Sequence, residues 1–270
     1  RERTKFFGLF GATFSIGFII GPALGGLLAT LSSTAPFFAV SVVAFINLIL
    51  VYFMVPETNK HMNPKKKMDA NPIMPIFRVL KNNSLKRPLF VWLFFMLAMA
   101  SVQSVVSLYI KERFSFGPSM IGIFMTAASI IMIVNQAVGM KIWTKGKREN
   151  FFEKAFLLIA GIGYVSLGGS PIIAIIGAFA FVVSEGTLRP ILTDRMFSDA
   201  KPDERGELIG VQSSLMSLAC VIAPMIAGSL FLMKPEYPFI MGSLFAVIAF
   251  IAALKFPPRE YHEQKLDILD

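Results

Sequence analysis

Eight continuous apolar runs, each near the length of a bilayer-crossing helix, constrain this chain more than any other feature. Crossing roughly 30 Å of hydrocarbon takes about 20 mostly apolar residues. Such runs occupy residues 6–31, 36–55, 89–109, 119–142, 152–168, 171–195, 208–232 and 237–256. The fifth is the shortest and holds Gly161, Gly163 and Gly168; the sixth carries charge in its second half. The runs do not alternate polar with apolar, which selects helices over barrel strands. Composition closes the soluble alternatives. The chain is 55% hydrophobic and 16% charged, against roughly 45–50% and 25% for a soluble domain. So few charges do not cover that much apolar surface in water. The expected class is an all-α integral membrane protein.

The net charge of +9 does not point to nucleic acid. The basic residues sit in short clusters between the apolar runs, as in a polytopic membrane protein. If the eight spans alternate direction, 22 of the 26 Lys and Arg fall on one side and three on the other, with Arg189 inside a span. That asymmetry places both ends of the chain in the cytoplasm. One Cys (Cys220) and two His (His61 and His262) leave no internal disulfide and no zinc-type cluster. No H-e-x-x-h pattern or catalytic His, Ser and Asp grouping is present. No nucleotide-binding glycine loop is present either. The expectation is a non-enzyme without metal or cofactor.

The chain repeats itself. A shift of 202 residues lays residues 3–58 on 205–260 without a gap, with 14 identities in 56 positions. They include Gly8 with Gly210, Pro22 with Pro224, Gly26 with Gly228, Pro36 with Pro238 and Pro56 with Pro258. A repeat of that length holds six spans. Residues 89–258 make one six-helix bundle, and residues 1–58 match only the last two helices of such a bundle. The repeat therefore predicts four further spans before Arg1. Residues 59–88 read as a basic cytoplasmic loop in which Ile73, Ile76, Phe77 and Leu80 recur at helical spacing, suggesting a helix on the membrane surface. Residues 259–270 read as a cytoplasmic tail.

Two six-span repeats joined by a basic loop resemble the major facilitator superfamily. The first span strengthens the likeness. Gly8, Gly17, Gly21, Pro22, Gly25 and Gly26 fit G-x8-G-x3-G-P-x2-G-G, which resembles the fifth-span signature of the superfamily's drug/proton antiporters. APFFAV at Ala35, VPET at Val55, NPIMPIFR at Asn71 and DERGELIG at Asp203 resemble its tetracycline-efflux branch. GMKIWTKGKR at Gly139 resembles the superfamily's G-x-x-x-D-R-x-G-R-R loop, with Trp143 and Thr144 in place of the Asp and first Arg; it also reads as a plain basic turn. On physical grounds Gly17, Gly21 and Gly25, four apart, share a flat helix face that a second helix can approach closely. Pro22 should bend the helix. The repeat keeps the geometry in weaker form, with the small residues Ala219, Ala223 and Ala227 and with Pro224. The resemblance implies that this face seals against a helix of the other half and limits proton leak.

Ionisable groups inside apolar spans are costly and mark function by default. Glu185 lies about 21 Å along the sixth span at 1.5 Å per residue. A carboxyl there suits proton uptake and release. Arg189, four residues on, shares its face. The two form either a proton-coupling site or a structural or gating pair. Gln103, Asn135, Gln136 and Gln212 lie near mid-span, where they line a substrate cavity or bond between helices. Asp194, Arg195, Asp199, Asp203, Glu204 and Arg205 cluster at the cytoplasmic face, as gate ion pairs or a solvated loop.

These features imply a proton-coupled exporter of amphipathic small molecules. It would act by alternating access in the cytoplasmic membrane, as a monomer, with substrate, protons and lipid as its partners. Uptake of a sugar or metabolite is the alternative within transport; a non-transporting polytopic protein is the alternative outside it.

Overall fold

The computed structural model describes Gly17 and residues 20–55, 83–143, 149–198 and 205–255. These residues form helices. In chain order they are α1 (Ile20–Leu31), α2 (Ala35–Met54), α3 (Asn83–Phe114), α4 (Pro118–Val134), a π-helical turn (Asn135–Gly139), α5 (Met140–Trp143), α6 (Glu149–Leu167), α7 (Pro171–Ser198), α8 (Arg205–Met233) and α9 (Tyr237–Leu254). Seven helical stretches among them are long and apolar enough to cross a membrane, and α1 is a shorter apolar helix. The expected span at 119–142 runs from α4 through the π-turn to α5. The expected surface helix of the central loop, the basic turn at 144–148 and the C-terminal tail lie outside the described residues.

Local chemistry sets the ends. Pro118 and Pro171 open α4 and α7, and Pro36 and Pro238 sit in the first turns of α2 and α9. A proline there sacrifices no helical hydrogen bond. Between α1 and α2, Ser32 Oγ accepts from Thr34 N at 3.2 Å and meets Thr34 Oγ1 at 2.9 Å, a local hydroxyl turn. Ser115 turns the chain between α3 and α4 with φ 54, a left-handed backbone that few non-glycine residues adopt. Pro88, Pro190 and Pro224 fall inside α3, α7 and α8. Each removes one helical hydrogen bond where neighbouring helices must compensate.

The chain forms two compact units. The first comprises Arg1–Ile76 with Ser107–Ile130, so it holds α1, α2, the end of α3 and most of α4. Its α2 buries no residue and exposes Phe37, Phe38, Tyr52 and Phe53. In hydrocarbon such a face carries no penalty, because lipid is as apolar as the side chains.

The second unit comprises Phe77–Val106 with Ile131–Asp270. Its core is filled by Trp92, Phe95 and Met96 from α3, Leu157 and Tyr164 from α6, Leu188 and Met196 from α7, and Phe239 from α9. Small residues carry the close approaches. Ala219, Ala223 and Ala227 of α8, spaced as the repeat predicts, are all fully buried. A Cβ at Gly177 would lie 2.7 Å from the Gly163 carbonyl, and one at Gly242 would lie 3.2 Å from the Ala98 carbonyl. Backbone contact of this kind replaces the hydrophobic effect as the adhesive between membrane helices. Arg87 Nη1 donates to the Lys255 carbonyl at 3.0 Å. This ties the start of α3 to the last turn of α9, where a cation also opposes the helix dipole.

Candidate functional site

In the first unit the glycine motif meets α4. A Cβ at Gly26 would lie 2.8 Å from Gly122 Cα and 2.9 Å from the Pro118 carbonyl. A Cβ at Gly122 would lie 2.8 Å from Gly26 Cα and from the Pro22 carbonyl. Two backbones touch with nothing between them. Among the described residues, no atom lies within 4 Å of a Cβ placed at Gly17, Gly21 or Gly25. The close face is therefore the one through Pro22 and Gly26, one helical turn apart, and the regular glycine row lies off it. Gly8 lies outside the described residues.

In the second unit α7 gathers most of the polar groups. It is an apolar helix, and Pro190 lacks the amide that would bond the Gly186 carbonyl. Glu185 is buried at 8% exposure, and Arg189 is about one-third exposed. Arg189 Nη2 lies 3.6 Å from Glu185 Oε1, close enough for an ion pair and too long for a good hydrogen bond. The same Nη2 faces Met99 Sδ of α3 at 3.2 Å, a weak acceptor. Arg189 Nε is buried without a hydrogen-bond partner. Tyr164 of α6, in the neighbourhood of Glu185, is buried and tilted against Phe181 with ring centroids 5.5 Å apart. The guanidinium is thus held mainly by one carboxylate, at a distance that leaves donors to spare.

Asn135 opens the π-turn and is half-buried. Its Nδ2 donates to the Val183 carbonyl at 3.0 Å and to Thr187 Oγ1 at 2.8 Å, both on α7. Its Oδ1 accepts from Trp143 Nε1 at 3.1 Å. Gln212 Nε2 of α8 donates to Thr193 Oγ1 of α7 at 3.0 Å. Gln136 is half-buried and Gln103 is exposed. Asn135 and Gln212 thus bond between helices, and both bonds end on α7.

One group was not visible in the spans. Glu153 of α6, 1% exposed, accepts a hydrogen bond from Arg195 Nη1 of α7, 8% exposed. Sequence grouped Arg195 with cytoplasmic charges and passed over Glu153. The signal was its helical phase. Glu153 shares a face with Leu157, Ala160 and Tyr164, all buried. Trp143, where the resembling loop has an acid, packs instead on Phe152 and Phe156, with centroids 5.1 and 5.3 Å away.

Comparison with known proteins finds relatives for the chain as a whole. The model of the Major Facilitator Superfamily matches residues 1–224. Multidrug resistance protein 2 of Bacillus subtilis is 27% identical over 256 residues, covering 92% of this chain and 63% of that protein. The class C tetracycline resistance protein of Escherichia coli is 28% identical, covering 85% and 59%. Quinolone resistance protein NorA of Staphylococcus aureus is 26% identical, covering 89% and 62%. The chain spans about three-fifths of the length of these relatives.

Proposed function

The chain belongs to the major facilitator superfamily, and from that premise we propose that it forms part of a proton-coupled exporter of amphipathic, drug-like molecules. Its relatives named for multidrug, tetracycline and quinolone resistance support this reading. So does the antiporter-like glycine motif of α1, whose Pro22–Gly26 face lies against Gly122 without a side chain between them. A seam that tight leaves no room for a water file, which is what a barrier to proton leak requires.

The observation that carries the proposal is Glu185, buried within an apolar helix and offset by 3.6 Å from Arg189. At that separation the attraction is about 5 kcal/mol in an effective dielectric of about 20. That is of the order of the several kcal/mol needed to desolvate the carboxylate. Neither the charged nor the neutral form is locked in. Glu185 takes up a proton from one side and releases it when the bundle opens to the other, with Arg189 compensating its charge in between. Gln103 and Gln136 line the substrate path. The chain ends face the cytoplasm, and the transporter acts as a monomer in the cell membrane.

The test is Glu185→Gln in the full-length chain, in inside-out vesicles energised by a proton gradient. A fluorescent lipophilic cation reports substrate movement. Accumulation should fall at least tenfold while substrate still binds. Wild-type accumulation in the variant would remove Glu185 from the mechanism, and movement in the opposite direction would replace export with uptake.

A further inference from the structure

The π-helical turn Asn135–Gly139 has no part in the exchange described above. Such turns are rare and frequently found at functional sites. Here the surroundings are shaped to keep one. A Cβ at Gly139 would collide with Asn135 Oδ1 and lie 2.7 Å from Trp143 Nε1. The Asn135 amide reaches Val183 and Thr187, which bracket Glu185 on α7. Gly186, next to Glu185, takes the other helix against its bare Cα. A Cβ there would stand 3.1 Å from Met132 Cγ and 3.2 Å from Asn135 Nδ2. Trp143, bonded to the far side of the same amide, lies on Phe152 and Phe156. Phe152 adjoins Glu153, the buried partner of Arg195. A line of contacts, completed by the peptide link from Phe152 to Glu153, therefore runs from the turn of α7 that carries Glu185 to the Glu153–Arg195 pair.

We propose that Asn135 is a positioning residue for Glu185, and that the π-turn passes the protonation state of Glu185 to Trp143 and the ion pair beyond it. This rests on the reading of Glu185 as the coupling carboxyl. The titratable groups near Glu185 are Arg189 on its own helix and Tyr164 from α6; the uncharged Met99 of α3 meets Arg189, and Met132 of α4 and Asn135 lie against the adjoining Gly186. Asp194 and Arg195 are the next charged residues along α7. When Glu185 is neutral, Arg189 loses its nearest counter-charge and the α7 turn between Val183 and Thr187 relaxes. Asn135 bonds to both ends of that turn, and a π-turn, one residue out of helical register, is the segment of its span that can shift without unwinding the rest.

The chain contains two Trp, Trp92 and Trp143, so Trp143 can be made the sole reporter. In the full-length protein every other tryptophan is replaced by Phe, and Trp143 emission is followed from neutral to acidic pH in proteoliposomes. Emission should titrate, and the titration should vanish in Glu185→Gln. Asn135→Ala should uncouple Trp143 and move the pH midpoint of substrate–proton exchange by roughly half a unit to one unit, about one net hydrogen bond expressed as a titration shift. Thr187→Val, which keeps the side-chain shape and removes one acceptor, should show the same effects in smaller measure, and serves if Asn135→Ala does not fold. The inference falls if Trp143 emission ignores pH or titrates unchanged in Glu185→Gln. It also falls if Asn135→Ala slows exchange with an unmoved midpoint and an unmoved Trp143 titration, the mark of a merely structural bond. Flat Trp143 emission in the protein that keeps Glu185, with exchange abolished in Glu185→Gln, overturns this inference alone. Full exchange in Glu185→Gln overturns the coupling reading.

Discussion

Replacing Gly26 by Ala adds one methyl group at the tightest point of the first unit. That carbon would stand 2.8 Å from Gly122 Cα, 2.9 Å from the Pro118 carbonyl and 3.3 Å from Gly122 N. All three neighbours are backbone atoms, so no rotamer change relieves the overlap. Carbon atoms are comfortable at about 3.5–4.0 Å, so α1 and α4 must separate by roughly 1 Å. Overpacking of this kind costs about 1–3 kcal/mol. The same substitution at Gly21 or Gly25 meets no atom within 4 Å among the described residues, and should be neutral or gain up to about 1 kcal/mol of helix propensity. Two assays read the contrast: thermal unfolding in detergent, and passive proton entry into proteoliposomes loaded with a pH-sensitive dye. Gly26→Ala and Gly122→Ala should lower thermal stability and raise proton leak, while Gly21→Ala and Gly25→Ala should do neither. Equal damage at Gly25 and Gly26, or silence at Gly26, would refute the argument that the Pro22–Gly26 face is the one in contact.

Three further outcomes are expected. Glu153→Gln or Arg195→Met alone breaks a buried ion pair and should cost about 3–5 kcal/mol in unfolding measurements, whereas Glu153→Leu with Arg195→Met should recover most of it. Gly177→Ala places a methyl 2.7 Å from the Gly163 carbonyl and 2.8 Å from Ser166 Cβ; it should destabilise the second unit by about 1–3 kcal/mol, visible as a lower midpoint in chemical unfolding. Cys220 is exposed on an apolar helix, so it should react with a membrane-permeant maleimide and resist a charged one that does not enter hydrocarbon.

The sequence by itself determined the spans, because lipid offers the backbone no partner and each apolar run must satisfy its own hydrogen bonds as helix. The run expected from residue 237 begins there as α9, and Pro118 and Pro171 open helices within one residue of the expected starts. Glu185 and Arg189 were legible for the same reason, since a charge in hydrocarbon stands out whatever surrounds it. Contacts between spans were not legible. The glycine motif offers two overlapping faces, and only the position of Gly122 selects Pro22–Gly26 over the regular row. Asn135 reads equally well as a cavity residue until Val183 and Thr187 are found within reach of its amide. Glu153 looks like an ordinary charge at the start of a helix until Arg195, distant in sequence, is buried beside it. Hydropathy is a property of one segment against lipid. Which faces meet depends on van der Waals fit between segments, and that information exists only when both are in place.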